Sequence, residues 1–407
     1  SPSLRFPEFT GEWKEERLSE IADIYKGAGI SKDQLSDNGE PCILYGELYT
    51  KYKTETITEV ISRTDIDNTK LVRSKANDVI IPCSGETAED IATARCVIKD
   101  GILLGGDLNI IRLHNYDGSF VSYQLNGKRK YDIAKVAQGV SVVHLYGEHL
   151  KGVKTVNPCL AEQKKISRFL SLLDERIAVQ NRLIEDLKKL RCAIIENVFC
   201  SPNHNESALR FKGNTDPLST YRMEDFCSRI TRKNKDNQCS LVLTIAAQYG
   251  LVDQESFFNK TVASENLAGY YLLHKGEFAY NRSYSAGYDW GAVKRLEKYP
   301  EGVLSTLYIC FKIDESAVDS DYLAYYFEST KWHKGLSDIA GEGARNHGLL
   351  NVSVNDYFNT RHRFHCMREQ KIIASMLNVI SQKENDEIAL YDNYQKQKQY
   401  LLRKMFI

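Results

Sequence analysis

No stretch of this chain approaches the roughly 18 uncharged apolar residues that a membrane-crossing helix needs. The opening residues, Ser1-Pro2-Ser3-Leu4-Arg5, hold no signal-peptide core. An excess of one charge sign is also missing: Lys plus Arg and Asp plus Glu number 54 each, for a formal net charge of zero. That excludes a uniformly basic coat, so any nucleic-acid surface has to be a local stripe or cleft balanced by acid elsewhere. The ten cysteines form no C-x-x-C pair and no cluster, which reads as reduced thiols in a cytoplasmic protein and not as a disulfide framework or a zinc knuckle. What is present is apolar content of 42% over 407 residues, too much chain for one ordinary core. Two or more domains are therefore expected.

Catalytic signatures are scarce too. Gly27-Ala28-Gly29-Ile30 leads into Ser31-Lys32-Asp33, the wrong spacing for a phosphate loop. Asn157-Pro158-Cys159-Leu160 lacks the second proline and the aromatic ring expected where a base amino group is methylated, and it reads as a helix-entry turn. Glu162 and Lys164, like Glu369 and Lys371, match half of a metal-dependent nuclease pattern but fall at helix starts without an upstream Pro-Asp. Glutamates there favour the helix dipole. His362, His365 and Cys366 have metal-like spacing but no fourth ligand, so no metal is expected. No G-x-S-x-G elbow supports a serine nucleophile, and no catalytic residue is assigned.

A repeat organises the rest. Cys159-Leu160-Ala161-Glu162-Gln163-Lys164-Lys165-Ile166 returns as Cys366-Met367-Arg368-Glu369-Gln370-Lys371-Ile372-Ile373, and the offset persists without a gap to the chain end. In the first copy Ile166, Phe169, Leu173, Ile177, Gln180, Ile184, Leu187, Arg191, Ile194 and Val198 step by three and four. The second copy runs Ile373, Met376, Ile380, Glu384, Glu387, Tyr391, Tyr394, Lys398, Leu401 and Met405 in the same register. This predicts two long helices packed on each other as a coiled coil, with Gln180, Arg191, Glu384, Glu387 and Lys398 as polar interruptions able to set register. Pro158 before the first helix and Ser201-Pro202 after it are natural stops.

The blocks before the helices correspond as well. Leu18-Ser19-Glu20-Ile21 answers to Met223-Glu224-Asp225-Phe226, Asn77-Asp78-Val79-Ile80-Ile81 to Gly276-Glu277-Phe278-Ala279-Tyr280, and Ala137 and His144 to Ala340 and His347. Each block reads as short β runs with one helix around 120–136 or 321–339. The expected class is α+β: two β-rich mixed α/β domains separated by two long helices forming an antiparallel coiled coil, a pseudo-two-fold repeat. The boundaries are 1–158, first domain; 159–200, first spacer helix; 201–365, second domain; and 366–407, second spacer helix. A helix of about 40 residues is about 60 Å long, at most about 18 base pairs of duplex.

Such a scaffold suits a duplex read in two halves. Loops mixing basic, amide and aromatic residues combine phosphate anchoring with base-edge reading. In the first domain the candidates are Lys26, Tyr45, Glu47, Tyr49, Ser84, Glu86, Thr87, Ser141 and His144. In the second they are Arg232, Lys233, Gln248, Tyr249, Asn281, Arg282, Ser283, Tyr284, Arg345, Asn346 and His347. Lys128-Arg129-Lys130 reads more simply as a solvated basic face.

Taken together the residues resemble the specificity subunits of type I restriction-modification systems, over nearly the whole chain. The resemblance rests on Leu4-Arg5-Phe6-Pro7-Glu8-Phe9 running into Gly11-Glu12-Trp13, on the two Glu-Gln-Lys helices, on Ser84-Gly85-Glu86-Thr87, and on Phe278-Ala279-Tyr280-Asn281-Arg282-Ser283-Tyr284. It implies two target-recognition domains, each reading half of a split double-stranded DNA site, and a helical spacer gripped by methyltransferase subunits, with restriction/translocase subunits further out. No cofactor is then expected on this chain; S-adenosylmethionine, ATP and Mg belong to those partners. Two other readings stay open at this point: a stand-alone methyltransferase or restriction enzyme with divergent motifs, and a scaffold that does not bind DNA.

Overall fold

A computed structural model describes residues 2–67, 69–139, 142–213, 216–259, 266–283, 287–339, 345–346, 349–350 and 352–407. It divides into two compact units, Ser1–Arg182 with Ile388–Ile407 as unit 1, and Leu183–Glu387 as unit 2. Four helices recur below: α1 (Gly118–Asn126), α2 (Leu160–Val198), α3 (Ser320–Tyr326) and α4 (Met367–Lys404). Among the described residues no helix is long and apolar enough to cross a membrane.

The two long helices pair antiparallel. In unit 1, Asp174 of α2 meets Lys398 of α4, and two residues further along α2 the Arg176 Nε donates to the Tyr394 hydroxyl at 2.7 Å, four residues earlier on α4. In unit 2, Arg191 of α2 meets Glu384 of α4 at 3.2 Å. Ile166, Leu170, Leu401, Met405 and Phe406 enter the core of unit 1 beside Phe120, Val121 and Tyr123 of α1. Ile195, Val198, Phe199, Ile373, Ala374 and Leu377 enter that of unit 2 beside Tyr322, Leu323 and Tyr326 of α3. Ile177 and Ile184 are buried, while Leu173, Leu187, Ile194, Ile380, Tyr391 and Tyr394 are partly covered. The seam departs from the expected register at Phe169, which is exposed and packs edge-on against Phe6 at 5.9 Å while Leu170 takes the inner place. A straight helix turns in 3.6 residues, so the inward stripe drifts against a strict heptad.

The Glu-Gln-Lys triplets owe their form to a latch built twice. The Arg5 guanidinium grips the buried Glu162 carboxylate in a two-pronged ion pair, Nε to Oε1 and Nη2 to Oε2 both 2.8 Å. Arg210 grips Glu369 in the same way. Gln163 accepts from the Asp117 N–H at 3.0 Å and donates to the Pro158 carbonyl at 2.8 Å; Gln370 does the same with Asp319 and His365 at 2.8 and 2.9 Å. Asp117 and Asp319 in turn cap α1 and α3. The glutamates thus serve a paired charge and not the helix dipole alone.

Each unit is built on antiparallel strands in one order. In unit 1, Ala22–Lys26, Leu108–Leu113, Asp78–Pro82 and Arg95–Val97 lie side by side, with Thr56–Ile57 added in parallel beyond Arg95–Val97. In unit 2 the order is Cys227–Arg229, Ile309–Ile313, Phe278–Asn281 and Ala292–Arg295. The single helix expected around 120–136 is two, Gly118–Asn126 and Lys130–Val136, because the Asn126 side chain turns away to bond both backbone groups of Ala94. The one expected around 321–339 is likewise Ser320–Tyr326 and His333–Ile339, with the Trp332 indole donating to the Phe327 carbonyl at 3.1 Å between them.

Candidate nucleic-acid interface

In unit 1 three of the predicted readers converge. The Lys26 ammonium, at the end of its strand, lies 3.8 Å from the Asp107 carboxylate. Ser84 donates to the other Asp107 oxygen at 3.3 Å, and His144 is the register partner of Ser84 in a two-residue ladder. Lys26, Asp107 and His144 line a cleft of about 220 Å³ together with Tyr146, whose ring is stacked on His144 at 6.1 Å. Asp107 sits at φ 59° with its carbonyl taken by the Cys83 N–H at 2.7 Å, so its carboxylate is aimed by the backbone. Burial pushes the Cys83 thiol up to about 11, which keeps it neutral. Asp107 and Tyr146 are absent from the sequence-based set; their signals are the Gly105-Gly106-Asp107 turn and an aromatic two places after His144. Lys26 and Asp107, both largely in solvent, form a loose pair whose groups can be drawn apart by a ligand at little cost.

The other predicted residues of unit 1 divide. Tyr45 and Tyr49 are half-buried, and burial raises the Tyr49 phenol, with Tyr45, Asp90 and Glu86 nearby adding to the shift. Glu86 is exposed beside them. Glu47 is a correction: it is buried, accepting from the Leu44 N–H at 3.0 Å, from Lys51 at 2.6 Å and from Ser62, so the fold consumes its carboxylate. Thr87 caps a short helix by accepting from the Asp90 N–H at 3.1 Å. Ser141 lies outside the described residues.

Unit 2 repeats the frame but spends its arginines differently. The Leu350 N–H donates to the Arg282 carbonyl at 3.0 Å, just as the Leu145 N–H donates to that of Cys83 at 2.7 Å in unit 1. Ser283 follows Arg282 as Ser84 follows Cys83, and its N–H is held by the Asn281 side chain at 3.0 Å. The Arg282 guanidinium is turned inward, donating to the carbonyls of Val352 and Leu307, both at 3.1 Å. Arg232 is likewise engaged by Glu277 at 2.6 Å, and the Lys233 ammonium sits 4.0 Å above the Tyr271 ring while donating to the Gly269 carbonyl. Each of the three is thus tied to a group within its own unit. Gln248 and Tyr249 are exposed at the turn of a hairpin, with Phe257 beside the Tyr249 ring at 6.5 Å. Arg345 and Asn346 form a short strand against Leu349–Leu350, their side chains lying outside the described residues, as do Tyr284 and His347 altogether. His362 and His365 are buried in hydrogen bonds to Tyr326 at 3.1 Å and Tyr322 at 2.7 Å.

Residues 10–189 match the family described as type I restriction modification DNA specificity domain. The specificity subunit of the type I restriction enzyme MjaVIII from Methanocaldococcus jannaschii is 25% identical over 197 residues, 48% of this chain and 43% of that protein, so the match spans less than half of the relative's length. Among solved structures, the S subunit of a type I restriction-modification system from M. genitalium aligns over 100% of this chain and 99% of its own, at 15% identity and a TM-score of 0.60. A chain from a structure titled for complex assembly and conformational transition of the type I R-M system aligns over 98% of each, at 13% identity and a TM-score of 0.53. At such identities the structural likeness speaks for the fold.

Proposed function

We propose that this chain, whose residues 10–189 match the type I restriction modification DNA specificity domain, is the DNA-reading subunit of a type I restriction-modification enzyme, with each unit reading one half of a split duplex target. The observation that carries this is the family match over the first unit, together with the same strand order and the same Arg-Glu-Gln latch in the second. In unit 1 the reading cluster is Lys26, Ser84, Asp107, His144 and Tyr146. Donors, acceptors and an aromatic face together are the means of distinguishing base edges in a major groove. In this reading the chain performs no chemistry. Methyl transfer from S-adenosylmethionine and ATP-driven cleavage with Mg belong to partner subunits, the methyltransferase seated on the outward faces of the spacer helices. Exposed Phe169, Leu172 and Val179 in unit 1, and Leu183, Leu190 and Val379 in unit 2, support such a seat.

The test is retention of duplex by the chain assembled with its methyltransferase subunit. A randomised duplex library should yield one split sequence, and equal retention of all sequences would remove the proposal.

A further inference from the structure

The strands of the two units share one order, so members of the unit 1 cluster have register counterparts in unit 2. Cys83 and Arg282, matched by the Leu145 and Leu350 N–H groups that their carbonyls accept, each follow an inner strand in which Ile80 and Ala279 hold the same place. Ile80 faces Ile110 and Ala279 faces Cys310, which makes the latter two equivalent. Ile110 also faces Tyr25, and the Cys310 carbonyl accepts from the Ile230 N–H at 2.8 Å, so Ile230 takes the place of Tyr25 and Thr231 that of Lys26. Followed back along the other strand, Leu307 takes the place of Asp107. The loose Lys26 and Asp107 ion pair of unit 1 is thus replaced in unit 2 by a threonine and a leucine.

The backbone at the two places is held alike. The Asp107 carbonyl accepts from the Cys83 N–H at 2.7 Å, and the Leu307 carbonyl accepts from the guanidinium of Arg282, the counterpart of Cys83, at 3.1 Å. The Tyr308 N–H closes the turn onto the Ser305 carbonyl at 3.1 Å, and the Leu307 N–H donates to the Ser305 hydroxyl at 3.4 Å. Both polar groups of the Leu307 backbone are therefore engaged within the unit, while its side chain is 60% exposed. Thr231 and Ser283 are exposed as well. A lone exposed leucine is ordinary; this one occupies the place from which unit 1 presents a carboxylate. In the major groove cytosine and adenine offer an amino donor that a carboxylate accepts, whereas thymine offers a 5-methyl group that an apolar side chain or a threonine methyl covers.

We propose that Leu307 is a specificity-determining residue of unit 2, packing on the 5-methyl group of a thymine with Thr231 as its companion. This rests on the DNA reading proposed for the chain. The two half-sites then differ in kind at the matched position, an amino-bearing base before Asp107 and a methyl-bearing base before Leu307.

The test uses the full chain assembled with its methyltransferase subunit, and as probes duplexes carrying the split sequence which that assembly selects. Leu307→Ala should relax the choice at one position, a thymine, in the half-site that Asp107→Ala leaves unchanged. Deoxyuridine at that position removes the methyl group alone and should weaken wild-type binding about fourfold, the worth of one buried methyl, while the Leu307→Ala assembly binds the thymine and uracil duplexes equally. Leu307→Asp should move the selected base to cytosine or adenine. A thermal melt of each variant matching wild type shows that altered reading is not altered folding. Equal retention of all duplexes would remove the DNA reading and this inference together. A selected sequence indifferent to Leu307→Ala, a relaxed position that is not a thymine, or a uracil duplex held by wild type as tightly as the thymine one would overturn the role of Leu307 and leave the reading standing.

Discussion

The Lys398 ammonium lies 2.7 Å from an Asp174 carboxylate oxygen, joining α4 to α2, and equally close to Glu55. One cation thus serves two buried acids, and Tyr123 donates to the second Asp174 oxygen at 2.6 Å. Burial raises Asp174 to about 6 even with Lys398 beside it, and the nearby Glu55 adds to the rise. Replacement of Lys398 by methionine strands both carboxylates, and the expected loss is about 3–5 kcal/mol of unfolding free energy. Adding Asp174→Asn and Glu55→Gln to that variant should recover a large part of the loss in chemical denaturation. A single variant as stable as wild type would show that water reaches the pair.

The two latches make a parallel prediction. Glu162 and Glu369 are 1% and 0% exposed, so removing Arg5 or Arg210 leaves a carboxylate without its counterion. Arg5→Ala and Arg210→Ala should each cost about 3–5 kcal/mol. Pairing each with a glutamine at its glutamate should show strong coupling in a double-mutant cycle.

Acid should weaken unit 2 through its buried histidines. Burial lowers His362 from 6.5 to about 3 and His365 to about 4. Both are neutral in the folded unit, while the unfolded chain takes up protons near 6.5, so their share of stability is whole above pH 6.5 and is lost as pH falls towards 4 and then 3. Denaturation midpoints between pH 7 and 4 should fall, and His362→Gln should flatten that slope by one proton.

The proposed DNA-reading role makes different predictions for Asp107 and Arg282. Asp107→Ala should relax the choice of base pair at one position of one half-site, by about 1–3 kcal/mol of discrimination, with the other half-site unchanged. Arg282→Ala should instead lower stability, because its guanidinium holds two carbonyls of its own unit. A selection from random duplexes for each variant, beside a thermal melt, distinguishes the two roles.

The spacer was the most legible part of this chain, because a seam must repeat its apolar positions and a latch must repeat its triplet. The partner of that latch is harder to see. Leu4-Arg5-Phe6 does recur as Leu209-Arg210-Phe211, but three residues in an irregular segment carry no period and stand out only once Glu162 and Glu369 reveal what they hold. In the loops, polar side chains look alike in sequence whether they face solvent or a carbonyl. Lys26 and His144 line one cleft and Ser84 reaches it through Asp107, whereas Glu47 is absorbed by Leu44 and Lys51 close by, and Arg232 and Arg282 by neighbours distant along the chain.

Unit 1 takes its residues from two separated stretches, whereas unit 2 is one continuous run. On a ribosome, unit 2 can therefore close as soon as its last residue emerges, but unit 1 has to wait, with an open core, for Leu401, Met405 and Phe406. The half that is made first is finished last, and it is the half exposed to aggregation and to chaperones in the interval.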